Sequence, residues 1–165
     1  MTSAIAPYDP AWPERFAAAA AQLGPVFGPA LIGLHHVGST AVPGLDAKPE
    51  IDILAVVSDV AAMPAWERAL GPQGYLRGGD LSDGHAYFRR NVAGVRTHKL
   101  HLCRAGHWQV ARMLAFRDVL RRHPEARGRY SAAKRAIAAR PEGGIADYLA
   151  AKAPVIDALL AEFAV

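Results

Sequence analysis

The sequence predicts an α+β fold, a small mixed β-sheet in the first 105 residues followed by helices. Three observations carry this. Runs that read as strands cluster before residue 105. From His107 onward the apolar spacing becomes helical. One early run, Ile51 to Val57, is apolar almost throughout, as expected of a strand covered on both faces. A segregated order of strands and then helices is the pattern of an α+β domain.

Taken in order, Asp9-Pro10 and Pro13 punctuate the start of a first helix. Pro13 suits a first helical turn, and Phe16, Ala20 and Leu23 fall on one face. The alanines from Ala17 to Ala21 favour helix, and Gly24 is read as its stop. Leu31 to Val37 reads as a strand ending at Gly38, and Ile51 to Val57 as a second strand. A helix from about Val60 to Leu70 is flawed by Pro64. Gly74 to Arg77 and Ala86 to Arg90 are further strands. Val95 to Arg104 alternates, with His98, Leu100 and Leu102 on one face and Thr97, Lys99, His101 and Cys103 on the other. A helix from His107 carries Val110, Met113, Phe116 and Leu120 on one side; Pro124 ends or resets it. Two more helices are expected, from about Ala126 to Ala139, stopped by Pro141, and from about Ile145 to Phe163.

The chain has 165 residues, a length that suits one domain, 1–165. Hydrophobic residues make up 52% and charged residues 21%, which excludes a disordered, collagen-like or disulfide-scaffold chain. No apolar run is long enough to cross a bilayer, so no membrane partner is expected. The first twelve residues lack the charged start and apolar core of a signal peptide. A single cysteine, Cys103, suits a reducing compartment, and the expected location is the cytoplasm. Net charge is +4 but uneven. Residues 1–60 hold six acids against Arg15 and Lys48, whereas residues 101–140 hold nine Arg and Lys134 against Asp118 and Glu125. An acidic front and a basic back suit a site where metal and polyphosphate meet, and equally a solvated helical face.

The most informative stretch runs from His36 to Ile53. A strand ends in Gly38-Ser39, a loop follows, and the next strand opens with Glu50 and Asp52 at i, i+2, hence on one face. Paired carboxylates suit a hard cation such as Mg²⁺. Gly38 lets the backbone approach a phosphate closely and Ser39 adds a hydroxyl. Taken alone, Gly-Ser is an ordinary turn and an acidic pair an ordinary solvated strand end. His101 is a candidate metal ligand or general base, against a structural hydrogen-bonded role. His36 either orients the loop or is a core histidine. Lys48, Arg89, Lys134 and Lys152 are candidate phosphate partners, each with the alternative of a surface cation. Tyr148 and Lys152 share a helix face. Cys103 has no spaced partner that would make a zinc motif.

Gly-Ser, a short connection and an acid-x-acid strand resemble the signature of the nucleotidyltransferase superfamily. More narrowly, the chain resembles the bacterial GrpB family, which also occurs as a domain fused to dephospho-CoA kinases. The resemblance spans Tyr8 to Phe163 and is carried most specifically by His-Val-Gly-Ser-Thr-Ala-Val-Pro-Gly-Leu at 36–45 and Lys-Pro-x-x-Asp-Ile at 48–53. Tyr87-Phe88-Arg89, Arg96 to Leu102, His123-Pro124-Glu125-Ala126, Tyr130 with Lys134, and Tyr148 with Lys152 continue it. The resemblance implies a nucleotidyltransferase-like mixed sheet flanked by helices. By it, Gly38 and Ser39 would hold a nucleoside triphosphate, and Glu50 and Asp52 would hold Mg²⁺ or Mn²⁺. The chain departs from the pattern twice. The strand Val95 to Arg104 lacks the third carboxylate, with His101 in its place, and Glu50 stands where many family members carry an apolar residue.

Three functions are therefore in play. The first is metal-dependent transfer of a nucleotidyl group from a triphosphate to an unidentified acceptor, with Glu50, Asp52 and His101 as catalytic and metal-binding residues. The second is a non-catalytic nucleotide-sensing or partner-binding module. The third, nucleic-acid binding, lacks an aromatic-basic motif, and nucleic acid is not expected as a partner. The first predicts His101 within a water-mediated contact of Asp52, a ligand set leaning toward Mn²⁺ or Zn²⁺. It also predicts that the carboxy-terminal helices pack back on the sheet, bringing Lys134 or Lys152 to the cleft, with Arg89 approaching from a neighbouring strand.

Overall fold

A computed structural model describes residues 4–139 and 144–164. It divides into two compact units, the first ending at Met113 and the second beginning at Leu114. Pro141, read as a helix stop, lies outside the described residues.

The first unit is built on a five-stranded mixed sheet in the order β1-β2-β5-β4-β3. The strands are β1 (Leu31–Val37), β2 (Ile51–Val57), β3 (Tyr75–Ser82), β4 (His85–Val92) and β5 (Val95–Arg104). β2 and β5 are parallel, and every other neighbouring pair is antiparallel. β1, β2 and β5 have the bounds the sequence predicts. β3 and β4 are longer than expected, because Ser82 and His85 flank a tight turn at Gly84, φ +75°, and keep pairing to the end.

α1 (Trp12–Phe27) begins where expected. The Asp9 carboxylate accepts from the Ala11 N–H at 2.9 Å, and Pro13 occupies the first turn. The helix does not stop at Gly24. It runs through Gly24 and Pro25 to Gly28, because Leu23 and Phe27 both bury against the sheet and hold the extra turn. Likewise α2 (Met63–Leu70) begins at Met63 rather than Val60, since Pro64 is acceptable only in a first turn.

One face of the sheet carries the core. Ile51, Ile53, Ala55, Val57, Phe88, Leu100 and Leu102 pack with Trp12, Leu23 and Phe27 of α1 and with Trp66 and Leu70 of α2. Each fully buried side chain of this size contributes about 1.5–3 kcal/mol. The alternate residues of the same strands point to the opposite face, where β2 buries Leu54 and Val56 beside a gathering of polar groups.

The division between units falls within α3 (Trp108–Arg122). α4 (Pro124–Ala138) starts at Pro124 itself, and α5 covers Ile145–Phe163. Within the second unit, Phe116 meets Tyr130 edge to face at 4.9 Å, and Arg129 pairs with Glu162 at 2.7 Å. Among the described residues, no helix is long and apolar enough to cross a membrane.

Candidate functional site

The loop between β1 and β2 is held from both sides. Ala6 and Ala47 exchange backbone hydrogen bonds at 2.9 and 3.0 Å, pinning the loop to the chain start. On its other side Thr40 Oγ1 donates to the Glu50 carbonyl at 3.3 Å. With its one hydrogen committed, Thr40 accepts from His36 Nε2, 3.0 Å away, which fixes the imidazole tautomer. His36 is buried and stacks on Phe16 with centroids 4.9 Å apart. It is thus both of the things the sequence allowed, a core histidine and a brace for the loop.

Gly38 has φ +73°, and a Cβ there would lie 2.3 Å from the Asp52 carboxylate. Only glycine lets the Gly38-Ser39 turn close over Asp52. The acid and the Gly-Ser turn are therefore adjacent, as the motif predicts.

Glu50 lies just before β2 and Asp52 within it, and both carboxylates reach one partner, Lys99 on β5. The Lys99 ammonium is 3.0 Å from Glu50 Oε2 and 3.4 Å from Asp52 Oδ1. The parallel register puts Lys99 directly beside Asp52. Burial alone pulls the Lys99 pKa down. The attraction of Asp52 and Glu50 outweighs it, so the net shift is upward and the amine stays charged. The Glu50 side chain is only 2% exposed. Its Oε1 has no hydrogen-bond partner among the described residues. A buried carboxylate of this kind persists only with a cation beside it.

Sequence reasoning placed Lys99 on the correct face and gave it no role. The available signal was a lysine in mid-strand on a chain that also has to neutralise Glu50. His101 shares the face of Asp52 and feels its charge. His101 stands opposite Leu54, one row further along the strand, and Lys99 occupies the place beside Asp52. The His101 Nδ1 is 2.9 Å from His85 Nε2. Burial lowers the His101 pKa to about 4, and the nearby Asp52 charge only partly opposes this.

The other predicted residues separate into two sets. Arg89 on β4 is in register with Lys99, so Asp52, Lys99 and Arg89 form one row across three strands, with Arg89 exposed. Ser39 and Lys48 lie in the connection between β1 and β2. Lys134 and Lys152 belong to the second unit, where their ammonium groups approach the Tyr130 ring at 5.0 and 5.8 Å. Lys152 also covers Tyr148 at 5.1 Å, as the shared face predicts. Lys134 is buried rather than a surface cation.

Mg²⁺ takes one or two carboxylates together with substrate phosphates. Here both carboxylates already share an ammonium group, and β5 supplies no third acid. A divalent ion at this place would have to expel Lys99. The residues as arranged do not fit it.

The GrpB protein family model matches residues 2–162. UPF0157 protein YqkA of Bacillus subtilis is 35% identical over 146 residues, 88% of this chain; the chain spans 42% of that protein's length. A dephospho-CoA kinase of Mycolicibacterium paratuberculosis is 30% identical over 91% of this chain and 43% of its own. Among solved structures, GrpB from Enterococcus faecalis superposes with a TM-score of 0.86 at 29% identity, covering 98% of this chain and all of that one. The Cid1 poly(U) polymerase with MgGTP bound gives a TM-score of 0.55 at 13% identity, over 79% of this chain and 43% of that one. The second likeness bears on the fold alone, which is nucleotidyltransferase-like. On the family match and the near-complete superposition, this chain belongs to the GrpB family.

Proposed function

We propose that this chain is a nucleotide-binding module on a nucleotidyltransferase scaffold, holding a polyphosphate without a divalent ion. The observation that supports this reading is Lys99, seated between Glu50 and Asp52 where such a fold would place metal. Lys99 offsets one of the two carboxylate charges and so removes about half of the like-charge barrier they would raise against phosphates. The phosphates would be met by the Gly38-Ser39 turn and by Lys48 and Arg89. Arg89 provides a fork and Lys48 a point charge. With no third carboxylate on β5, binding or sensing is favoured over turnover.

Nucleotidyl transfer to an acceptor, with Mg²⁺ or Mn²⁺, is the second reading. The contact of Asp52 with Gly38 favours it, because it puts an acid beside the phosphate-binding turn.

Calorimetric titration with a non-hydrolysable nucleoside triphosphate separates the two. The first reading expects binding in the presence of a chelator and a loss of about 10- to 100-fold in Arg89→Ala, the scale of one charged hydrogen bond. Lys152→Ala and Lys134→Ala test whether the second unit contributes at all. Binding that requires Mg²⁺, together with pyrophosphate release from a hydrolysable triphosphate, would establish the second reading instead.

A further inference from the structure

One row of the polar face plays no part in the reading above. His85 opens β4 and is paired directly with Cys103 near the end of β5. His107 follows in the turn at Gly106, φ +83°, where its N–H bonds back to the Arg104 carbonyl at 3.0 Å. One ligand atom from each of His85, Cys103 and His107 lies within 4.8 Å of the other two. His85 and Cys103 are buried and His107 half-buried.

We propose that His85, Cys103 and His107 form a zinc site, distinct from the acidic pair, with three protein ligands and a fourth position open to solvent. The donor chemistry selects the metal. One thiolate and two imidazoles suit zinc and disfavour Mg²⁺ and Ca²⁺, which take oxygen. Tetrahedral zinc needs its donors about 3.3–3.8 Å apart, so the three side chains have to close by about 1 Å. Their backbones are already fixed by the β4–β5 ladder and the turn.

The surrounding hydrogen bonds are those of a supporting shell. His85 Nε2 is 2.9 Å from His101 Nδ1, which leaves His85 Nδ1 for the metal. His107 Nε2 is 2.9 Å from Ser82 Oγ. The other His107 nitrogen, Nδ1, accepts the Gln109 N–H at a long 3.2 Å, the bond that metal binding would replace. Metal-bound histidines commonly anchor their second nitrogen in this way. Ser82 and His85 also line a cavity with Arg77, Asp80 and Asp83, which provides an approach for the ion. Zinc here would tie together the start of β4, the end of β5 and the turn before α3.

The test is titration of the reduced full-length chain with Zn²⁺ against a chromogenic chelator, together with Co²⁺ as a spectroscopic probe. The expected result is one zinc per chain and a thiolate-to-cobalt charge-transfer band. Cys103→Ser should abolish the band, and Cys103→Ser and His107→Gln should each weaken zinc by at least about 100-fold, the upper end for loss of even a supporting partner. Asp52→Asn should leave zinc affinity unchanged. Should buried Cys103→Ser fail to fold, the half-buried His107→Gln variant and the wild-type cobalt spectrum decide. A cobalt complex without the thiolate band, or wild-type zinc affinity in His107→Gln, overturns the site.

Discussion

The two faces of the sheet obey different rules. On one, Ile51, Ile53, Leu100, Leu102 and Phe88 are interchangeable in kind: each needs only to be apolar and of suitable volume. On the other, Asp52, Lys99, His101, Tyr87, Cys103 and His85 stand in rows across β2, β5 and β4, and each depends on the identity of its neighbour. The first face is stabilised by area; the second buries Leu54 and Val56 as well, but its polar rows are stabilised by pairing. Substitutions should therefore be graded on the first and close to all-or-none on the second.

The largest effect should come from separating the buried pair. Lys99→Met leaves Glu50 uncompensated at 2% exposure, and a loss of about 3–5 kcal/mol is expected by denaturant unfolding. The double variant Glu50→Gln/Lys99→Met should recover much of it. If Lys99→Met alone is neutral, pairing does not govern this face.

Two glycines give the next contrast. Gly38→Ala combines positive φ with a 2.3 Å approach to Asp52, whereas Gly44→Ala has φ +79° and nothing within 4 Å. Gly44→Ala should cost about 1–2 kcal/mol from backbone strain alone, and Gly38→Ala distinctly more. Equal losses in thermal melts would show that Asp52 moves aside freely.

A smaller effect concerns pH and the core face, where His98 is the exception among apolar neighbours. Burial, helped by Arg90 and Arg15, lowers its pKa to about 4 from an ordinary 6.5. Between those values the unfolded chain binds more protons than the folded one, so stability falls as pH drops from 6.5 toward 4. Allowing for solvent screening, the loss is about 1–2 kcal/mol. His101, lowered to the same value, contributes to the same limb, so His98→Gln should reduce its slope, and an unchanged slope in urea titrations would exclude His98 as a contributor. At the bottom of the scale, exposed Arg89→Ala should change stability by less than about 0.5 kcal/mol while weakening triphosphate binding.

The same contrast explains what was legible in the sequence. β1, β2 and β5 could be bounded because period-two apolar runs are local, and Gly38, Ser39, Glu50 and Asp52 could be grouped because they are close in sequence. Lys99 and Asp52 are 47 positions apart and meet only through the parallel β2–β5 register, which no single strand's pattern specifies. His85, Cys103 and His107 meet through the antiparallel β4–β5 ladder and a turn for the same reason. The overrun of α1 past Gly24 shows the converse, a local stop signal overruled by the burial of Leu23 and Phe27.

The central claim is that Lys99 acts as the built-in cation of the acidic pair. Mn²⁺ binding followed by electron paramagnetic resonance tests it most directly, in the wild type, in Lys99→Ala with its fold checked by circular dichroism, and in Lys99→Ala/Asp52→Asn. The account predicts no Asp52-dependent Mn²⁺ binding in the wild type, its gain in Lys99→Ala, and its loss again in the double variant. Mn²⁺ bound by the wild type and released by Asp52→Asn alone would contradict it.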